Sequence, residues 1–157
     1  MNEDFEKFTT FYSYVREFMI ACDQSVTGKK NEEQVKLYEK LIIEEYSEFV
    51  DAREDDDKKE MLDGICDTIW VGIGYFISKG ETPDNMMIHR KLLDIISIKE
   101  VMDIAKQNSF DLDGAMKEVH RSNMSKVDPV TKKVIKREDG KVLKPESFSP
   151  PNLEPFL

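Results

Sequence analysis

The sequence predicts an all-α protein, a helical bundle that ends in a short C-terminal β-hairpin and an extended tail. Over most of the 157 residues, apolar side chains recur three or four positions apart, which is the period of an amphipathic helix. The period changes after Asp128-Pro129, where short β-type runs flank Asp139-Gly140 and prolines follow. We therefore expect one domain over residues 1–157, with the hairpin and tail over 127–157.

The first three helices are predicted from their apolar positions. One stripe in "DFEKFTTFYSYVREFMIAC" predicts the first helix, and a second helix is expected from about Glu32 to Ala52. The third, about Lys58 to Ser78, reads "KKEMLDGICDTIWVGIGYFIS" and is apolar on nearly every side. It should therefore be central in the bundle, with Gly80 as a left-handed cap at its end.

The second half of the chain predicts further helices. Residues 81–109 contain "TPDNMMIHRKLLDIISIKEVMDIAKQNS", which predicts one or two helices beginning near Pro83 at a first-turn position. The segment "FDLDGAMKEVHRSNMSK" predicts a shorter helix, capped by Asp111 or Asp113. The tail "ESFSPPNLEPFL" is rich in proline and should pack as extended chain.

The composition narrows the classes of partner. A formal net charge of -9 argues against a nucleic acid polymer, whose binding depends on Lys and Arg at the phosphates. A small anionic ligand would need a metal ion to reverse the local charge. Cys22 and Cys66 lie in apolar patterns and are expected to be buried reduced thiols, which indicates a cytoplasmic protein. No segment predicts a membrane span or a signal peptide, so no membrane partner is expected.

Acidic residues gather on one side of the second helix. At about 100° per residue, Glu44, Glu48 and Asp51 fall within about 60° of each other, with Glu45 about 100° from Glu44. A solvated helix side usually interleaves acids with Lys, Gln or Arg, which relieves the repulsion. Here the intervening neighbours on that side include Leu37 and Leu41, but a hydrated side remains an alternative for this helix taken alone.

The third helix repeats the pattern, because Glu60, Asp63 and Asp67 also fall within about 60° of each other. Carboxylates crowded in poorly hydrated surroundings take up protons unless cations hold them ionised. Hard oxygen ligands in this number favour Mg²⁺, with Mn²⁺ able to replace it. A di-iron bundle is disfavoured, because neither His89 nor His120 follows a Glu in a Glu-x-x-His pair.

The residues Glu44-Glu45-x-x-Glu48, followed by Glu60-x-x-Asp63, resemble the metal motif of the all-α NTP pyrophosphohydrolases, a superfamily that includes MazG proteins, dimeric dUTPases and phosphoribosyl-ATP pyrophosphohydrolase. The segments "VREFMIACDQSV", "EVHRSNMSK" and "KREDGKVLKP…PPNL" are similar to the small MazG-like branch of bacteria and phages. Two departures stand out. Residues 81–109 look like a helical insertion, and Gly64 stands where an acid three before Asp67 is common.

The resemblance implies an enzyme that hydrolyses a nucleoside triphosphate between its α and β phosphorus atoms. It also implies that the enzyme acts on the deoxynucleotide pool and that it is a homodimer or homotetramer. The implied metal ligands are acidic residues of the second and third helices: Glu44, Glu45, Glu48, Glu60, Asp63 and Asp67. Glu45 and Glu48 are the expected catalytic residues, with Glu45 binding a further ion or acting as general base. Alternatives are phosphoribosyl-ATP as the substrate and a helical oligomerisation or regulatory module with solvated acids.

Substrate contacts are expected from polar residues outside the acidic helices: Gln24, Arg121, Asn123, Lys126 and Lys144. Gln24 could read a base edge through its amide, while Arg121, Asn123 and Lys126 could bind phosphates. Basic residues also favour the C-terminal end of a helix through its dipole, so both interpretations of "HRSNMSK" remain open. Lys144 is the weaker candidate, because hairpin lysines usually face solvent.

Overall fold

The computed structural model describes residues 2–138 and 142–157, and in them it confirms the all-α class. The helices are α1 (Glu3–Ala21), α2 (Glu32–Glu54), α3 (Lys58–Ser78), α4 (Ile98–Gln107) and α5 (Leu112–Met124). Strands β1 (Lys91–Leu92) and β2 (Ile96–Ser97) form a small antiparallel sheet. Short 3-10 turns occupy Met87–His89 and Glu154–Phe156.

Side-chain caps explain where the predicted helices begin. The side chains of Asn31 and Asp57 accept hydrogen bonds from the backbone N–H groups of Gln34 and Glu60, respectively, at the starts of α2 and α3. Asp111 caps α5 in the same way, as one of the two predicted caps. Gly80 has a φ of +78° after the end of α3, as expected for a left-handed cap.

Helix α3 is central, as its apolar circumference predicted. It packs against α1, α2, α4 and α5, and its side chains from Met61 to Ser78 are almost all buried. The α3 residues Ile65, Ile69 and Ile73 belong to one cluster of buried side chains that extends into every helix. Cys22 and Cys66 are buried and free, in agreement with the prediction of reduced thiols. No helix among the described residues has the length and apolar character needed to cross a membrane.

The prediction of a helix that begins near Pro83 is wrong. Asp84 accepts hydrogen bonds from the N–H groups of Met86 and Met87, which makes a turn where a helix was expected to begin near Pro83. Leu93 and Asp94 then adopt positive φ angles and turn the chain between β1 and β2. Regular helix begins only at Ile98, where the Ser97 side chain caps α4. Whether 81–109 is an insertion stays a prediction.

The C-terminal hairpin forms only isolated bridges in the described residues, so the regular hairpin of this fold is β1–β2. Antiparallel bridges join Val127 to Val134 and Lys136 to Val142. The predicted turn at Asp139-Gly140 lies outside the described residues, as does Lys141. The tail beyond Lys144 packs along α5 without regular strand, and Leu153 enters the core with 2% of its surface exposed.

Candidate functional site

Helices α2 and α3 form an antiparallel pair that brings the two acidic sides together. Their connection is short, because α2 ends at Glu54 and α3 begins at Lys58. Gly64 allows the closest approach: a Cβ built there would lie 2.8 Å from Phe49 Cβ and 2.9 Å from Phe49 Cα. Glu48 and Asp63 are the chain neighbours of these two residues. The glycine that replaces an expected acid therefore sets the distance between the acidic sides.

The six predicted metal ligands differ in their exposure. Glu44, Glu48 and Glu60 are exposed, whereas Glu45, Asp63 and Asp67 are half-buried. The exposed acids Glu48 and Glu60 line a groove of about 260 Å³ at the α2–α3 connection, together with Asp51, Asp55 and Asp57. The acidic sides of α2 and α3 are therefore open to a ligand near the α2–α3 connection and enclosed towards Asp67.

Glu45 is half-buried and lies close to several other carboxylates. Burial raises its pKa to about 7, and the nearby carboxylates of Glu48, Asp63 and Glu44 add to the increase. Among these carboxylates, Glu48 contributes most to the raised pKa of Glu45. The Oε2 atom of Glu45 is buried without a hydrogen-bond partner among the described residues. A buried carboxylate oxygen without a hydrogen-bond partner can bind a cation or accept a hydrogen bond from water.

Asp63 and Asp67 continue the same electrostatic cluster. Burial is the main cause that raises the pKa of each carboxyl, and repulsion from Glu48 acts on both. Asp67 lies close enough to Lys126 for the ammonium group to oppose part of this increase. Acids from two helices thus interact with one another and with one cation from the C-terminal part of the chain.

The donor set fits a hard divalent cation in its chemistry. In residues 2–138 and 142–157, no three His, Cys, Asp or Glu side chains are already gathered at coordinating distance. Like-charged carboxylates separate when nothing neutralises them, so this spread is expected of the acids by themselves. The orphaned Glu45 oxygen and the all-carboxylate donors are the observations that match Mg²⁺ or Mn²⁺.

Polar side chains from the C-terminal part of the chain gather around Lys126. We call this group the basic side of the candidate site, and it consists of Lys126, Asn123 and Lys144. Lys126 follows the C-cap of α5 and donates a hydrogen bond of 3.2 Å to Asn123 Oδ1. Its ammonium group also lies 5.9 Å from the ring centre of Phe18 and 5.6 Å from that of Phe148. Lys144 lies 5.1 Å from the Phe148 ring centre. Two of the predicted phosphate-binding cations therefore share one aromatic neighbour.

Arg121 is not brought to the acidic cluster by any described contact. Its guanidinium donates to Glu118 at 2.7 and 2.8 Å and to the Pro150 carbonyl at 3.2 Å. This pair lowers the pKa of the Glu118 carboxyl, mainly through the hydrogen bond from Arg121. The arginine thereby connects α5 to the tail, and its predicted contact with substrate stays a prediction.

Comparison with protein families assigns the acidic helices. Residues 15–91, just under half of the chain, match the family model of phosphoribosyl-ATP pyrophosphohydrolase, PRA-PH. This family is part of the MazG-like all-α NTP pyrophosphohydrolases. Residues 15–91 are therefore similar to that superfamily. Searches of curated proteins and of solved structures gave no match.

The matched part of the chain contains all six acids but none of the basic side. It runs from Val15 in α1 through α2 and α3 to Lys91 in β1. Asn123, Lys126 and Lys144 lie beyond it. The family match therefore supports the pyrophosphohydrolase class. It does not extend to the C-terminal part of the chain, to which the basic side belongs.

Gln24 lies at the edge of a second cavity. The cavity measures about 250 Å³, and Gln34, Leu37 and Lys136 also line it. Gln24 Oε1 accepts a hydrogen bond of 2.6 Å from the Tyr38 hydroxyl, which fixes the direction of its amide. Leu37 is on the acidic side of α2, so the cavity and the acids share one helix face.

Sequence reasoning missed two groups near the site. Phe148 gave no periodic signal, because it stands in an irregular proline-rich segment. Lys133 and Lys136 were missed because they act on the end of a distant helix: they donate to the Ile20 and Cys22 carbonyls at the end of α1. The last turn of α1 has no Lys or Arg of its own, which is a weak signal for such a partner.

Proposed function

We propose that this pyrophosphohydrolase is an Mg²⁺-dependent enzyme that cleaves nucleoside triphosphates, deoxynucleotides above all, to the monophosphate and pyrophosphate. The observation that carries the proposal is the packing of α2 on α3 around mutually interacting acids, with an unpartnered oxygen on Glu45. Such a group of carboxylates costs free energy unless a ligand compensates for the repulsion. A cation with a phosphate ligand is the compensation that fits the superfamily.

The acids have distinct proposed roles. Glu44, Glu48, Glu60 and Asp63 would hold Mg²⁺, with Asp67 as an additional ligand or as a hydrogen-bonding neighbour of the ligands. Bound Mg²⁺ would supply neutralisation of the phosphate oxygens and acidification of a water molecule. Glu45 would orient that water and accept its proton, because Oε2 has no hydrogen-bond partner among the described residues.

The basic side would bind the phosphates that the acids alone would repel. Lys126 and Asn123 are adjacent and hydrogen-bonded, so both can donate to one phosphate group. Lys144 would contact the outer phosphates. Gln24 and its cavity would take the base, on the same face of α2 as Glu44 and Glu48. Arg121 is left out of this proposal, because its side chain already binds Glu118 and Pro150.

The test is a substrate panel with separate detection of phosphate and pyrophosphate. The purified chain is assayed with Mg²⁺ or Mn²⁺ on the common NTPs and dNTPs, dUTP and phosphoribosyl-ATP. We expect pyrophosphate as the inorganic product, no activity after chelation, and the highest kcat/KM on a deoxynucleotide. Glu48→Gln is the inactive variant. Its matched control is Glu39→Gln, on the opposite side of the same helix.

Phosphoribosyl-ATP is the second candidate substrate, because the matched family is PRA-PH. Both candidates carry a triphosphate that would use the same acids, so only their relative kcat/KM values separate them. Activity on phosphoribosyl-ATP alone would replace the deoxynucleotide assignment and keep the metal site.

A non-enzymatic helical module predicts a different result. If the acids were only a hydrated helix side, calorimetry would show no Mg²⁺ or Mn²⁺ binding and the panel would show no product. Metal binding that is lost in Glu48→Gln and kept in Glu39→Gln would instead support the proposed site.

A further inference from the structure

The C-terminal strap, residues 145–157, is fixed to the body of the protein at its far end. Leu153 is buried in the core, and the Phe156 carbonyl accepts a hydrogen bond of 2.9 Å from the Asp111 N–H. The Asn152 N–H donates to Glu118 at 2.7 Å. Phe156 packs against Gly114, where any Cβ would overlap its ring. The strap is therefore a docked part of the fold in residues 152–156.

The near end of the strap is fixed at Ser125. The Ser149 N–H donates to Ser125 Oγ at 2.9 Å, and Ser147 Oγ donates to the Ser125 carbonyl at 3.0 Å. Both neighbours of Phe148 are thus tied to the residue that precedes Lys126. These bonds determine where the Phe148 ring lies, and they place it beside the ammonium group.

Lys126 lies between two phenyl rings as a result. Phe18 of α1 and Phe148 of the strap have their ring centres at 5.9 and 5.6 Å from Nζ, within the range of cation–π attraction. The side chain is half-buried, and burial lowers the pKa of its ammonium group. The ammonium group also donates a hydrogen bond to the Asn123 side chain and interacts with the charge of Asp67. A long and flexible lysine is thereby restricted to one position beside the acids.

We propose that Phe148 is a positioning residue, whose ring holds the Lys126 ammonium group at the acidic side of α3. Through Lys126, the strap would make the site competent to bind phosphate. The kinetic part of this inference rests on the proposed function, whereas the placement of Lys126 can be measured without any substrate.

The placement is tested by NMR on the full chain after reductive methylation of its lysines with ¹³C-formaldehyde. Two flanking rings shift the Lys126 N-methyl signal upfield, and the signal is identified by its loss in Lys126→Arg. We expect Phe148→Leu to remove a large part of that shift. Phe156→Leu is the matched control, since it alters the same strap away from Lys126, and it should leave the signal in place.

The kinetic test uses the same variants together with Phe148→Tyr. The loss of one cation–π contact should lower kcat/KM by roughly 2- to 30-fold in Phe148→Leu. Tyrosine keeps an aromatic face and should restore kcat/KM to within about 2-fold of the wild type. Ser125→Ala, which removes one tie to the strap, should give a smaller loss in the same direction. Denaturant unfolding of each variant checks that the fold is kept.

The outcomes separate this inference from the proposed function. An unchanged Lys126 signal in Phe148→Leu, or an equal kinetic loss in Phe156→Leu, would overturn the role of Phe148. If Phe148→Leu does not fold, the Ser125→Ala signal decides in its place. Should the signal move as expected while even the wild-type protein hydrolyses no triphosphate, the positioning role stands and the proposed function fails.

Discussion

Glu45 is a half-buried carboxylate with three other carboxylates around it, those of Glu44, Glu48 and Asp63. A structural acid in such a place would normally accept hydrogen bonds or pair with a cation, but its Oε2 does neither in the described residues. Natural sequences accept this kind of cost mainly where a ligand removes it.

Glu48→Gln and Asp63→Asn should each abolish hydrolysis while the helical fold is kept. In the metal-free protein, the free energy of unfolding should stay equal or rise, because each variant removes a charge that raises the pKa of neighbouring acids. Turnover, circular dichroism and denaturant unfolding without metal measure these effects, with Glu39→Gln as the control. Near wild-type turnover in either variant would show that the metal assignment is wrong.

Lys126→Ala distinguishes a phosphate donor from a cation that only favours a helix end. As a donor to a phosphate that gains charge, Lys126 should contribute about 2 to 4 kcal/mol to the activation free energy in kcat/KM. As a helix-end cation it should affect stability by about 0.3 to 1 kcal/mol and leave the kinetics unchanged. We expect the kinetic effect, because the ammonium group lies near Asp67. A variant with lower stability and normal kinetics would remove Lys126 from the site.

Cys22 should be an unreactive thiol although lysines surround it. Burial raises its pKa to about 11, more than Lys136 and Lys126 lower it. At pH 8 only about one thiol in a thousand is then ionised, roughly a hundredfold fewer than for an exposed cysteine. Iodoacetamide should therefore label Cys22 slowly in the native protein, faster as the pH approaches 11, and rapidly in denaturant. Fast native labelling at pH 8 would contradict the burial of this residue.

Among the elements, the α2–α3 pair depends on one glycine. Gly64→Ala should force α2 away from α3, because the new methyl group meets the backbone of Phe49. We expect a loss of about 1 to 3 kcal/mol in unfolding free energy and a marked fall in kcat/KM, since the acids separate. Gly72→Ala is the control on the same helix.

In the Gly72→Ala control the added methyl group meets the Leu92 side chain, on the hairpin side of α3 rather than towards α2. It should reduce stability with little effect on kcat/KM. Equal kinetic losses in the two variants would mean that general destabilisation, and not the spacing of the acids, explains the result.

Much of this arrangement could be predicted from the sequence. The ends of α2 and α3 follow from Asn31, Asp57 and Gly80, and helical projection was enough to place the acids on facing sides. Residues 84–97 were harder, because an apolar run such as "KLLDIISI" fits a helix and a hairpin equally well. The decisive positive φ angles at Leu93 and Asp94 carry no glycine signal. Phe148 could not be assigned, since contacts of irregular segments leave no period.

For the whole molecule, charge is unevenly distributed. The chain has a net charge of -9, yet Lys126, Lys133 and Lys136 all lie close enough to Cys22 to lower its pKa, and Lys144 acts on Lys126. A local group of cations in an acidic protein directs anions to one region of the surface. In this fold that region adjoins the acids of α3.

Self-association is expected from the exposed surface of α2 and not from α3. Helix α3 is covered within one chain by α1, α2, α4 and α5, so it needs no partner. Exposed apolar side chains lie instead on α2, with Leu37 43% and Ile43 57% exposed. We expect light scattering to show a dimer or tetramer at micromolar concentration. Ile43→Ser should weaken this oligomer, whereas Val130→Ser, at an even more exposed site in a loop, should not.

A fully active monomer at micromolar concentration would contradict this expectation. An oligomer that is unaffected by Ile43→Ser would place the interface elsewhere on the surface.

The short connection between α2 and α3 has a consequence for the order in which the protein folds. These helices meet through contacts between near neighbours in the chain, whereas Lys126 reaches Phe18 and Phe148 reaches Lys126 only after longer loops have closed. Refolding should therefore form the α2–α3 pair early and bring Lys126 to it late. During that interval the repulsion among the acids is uncompensated, so Mg²⁺ in the refolding buffer should speed the recovery of helix signal more than that of Lys126 docking.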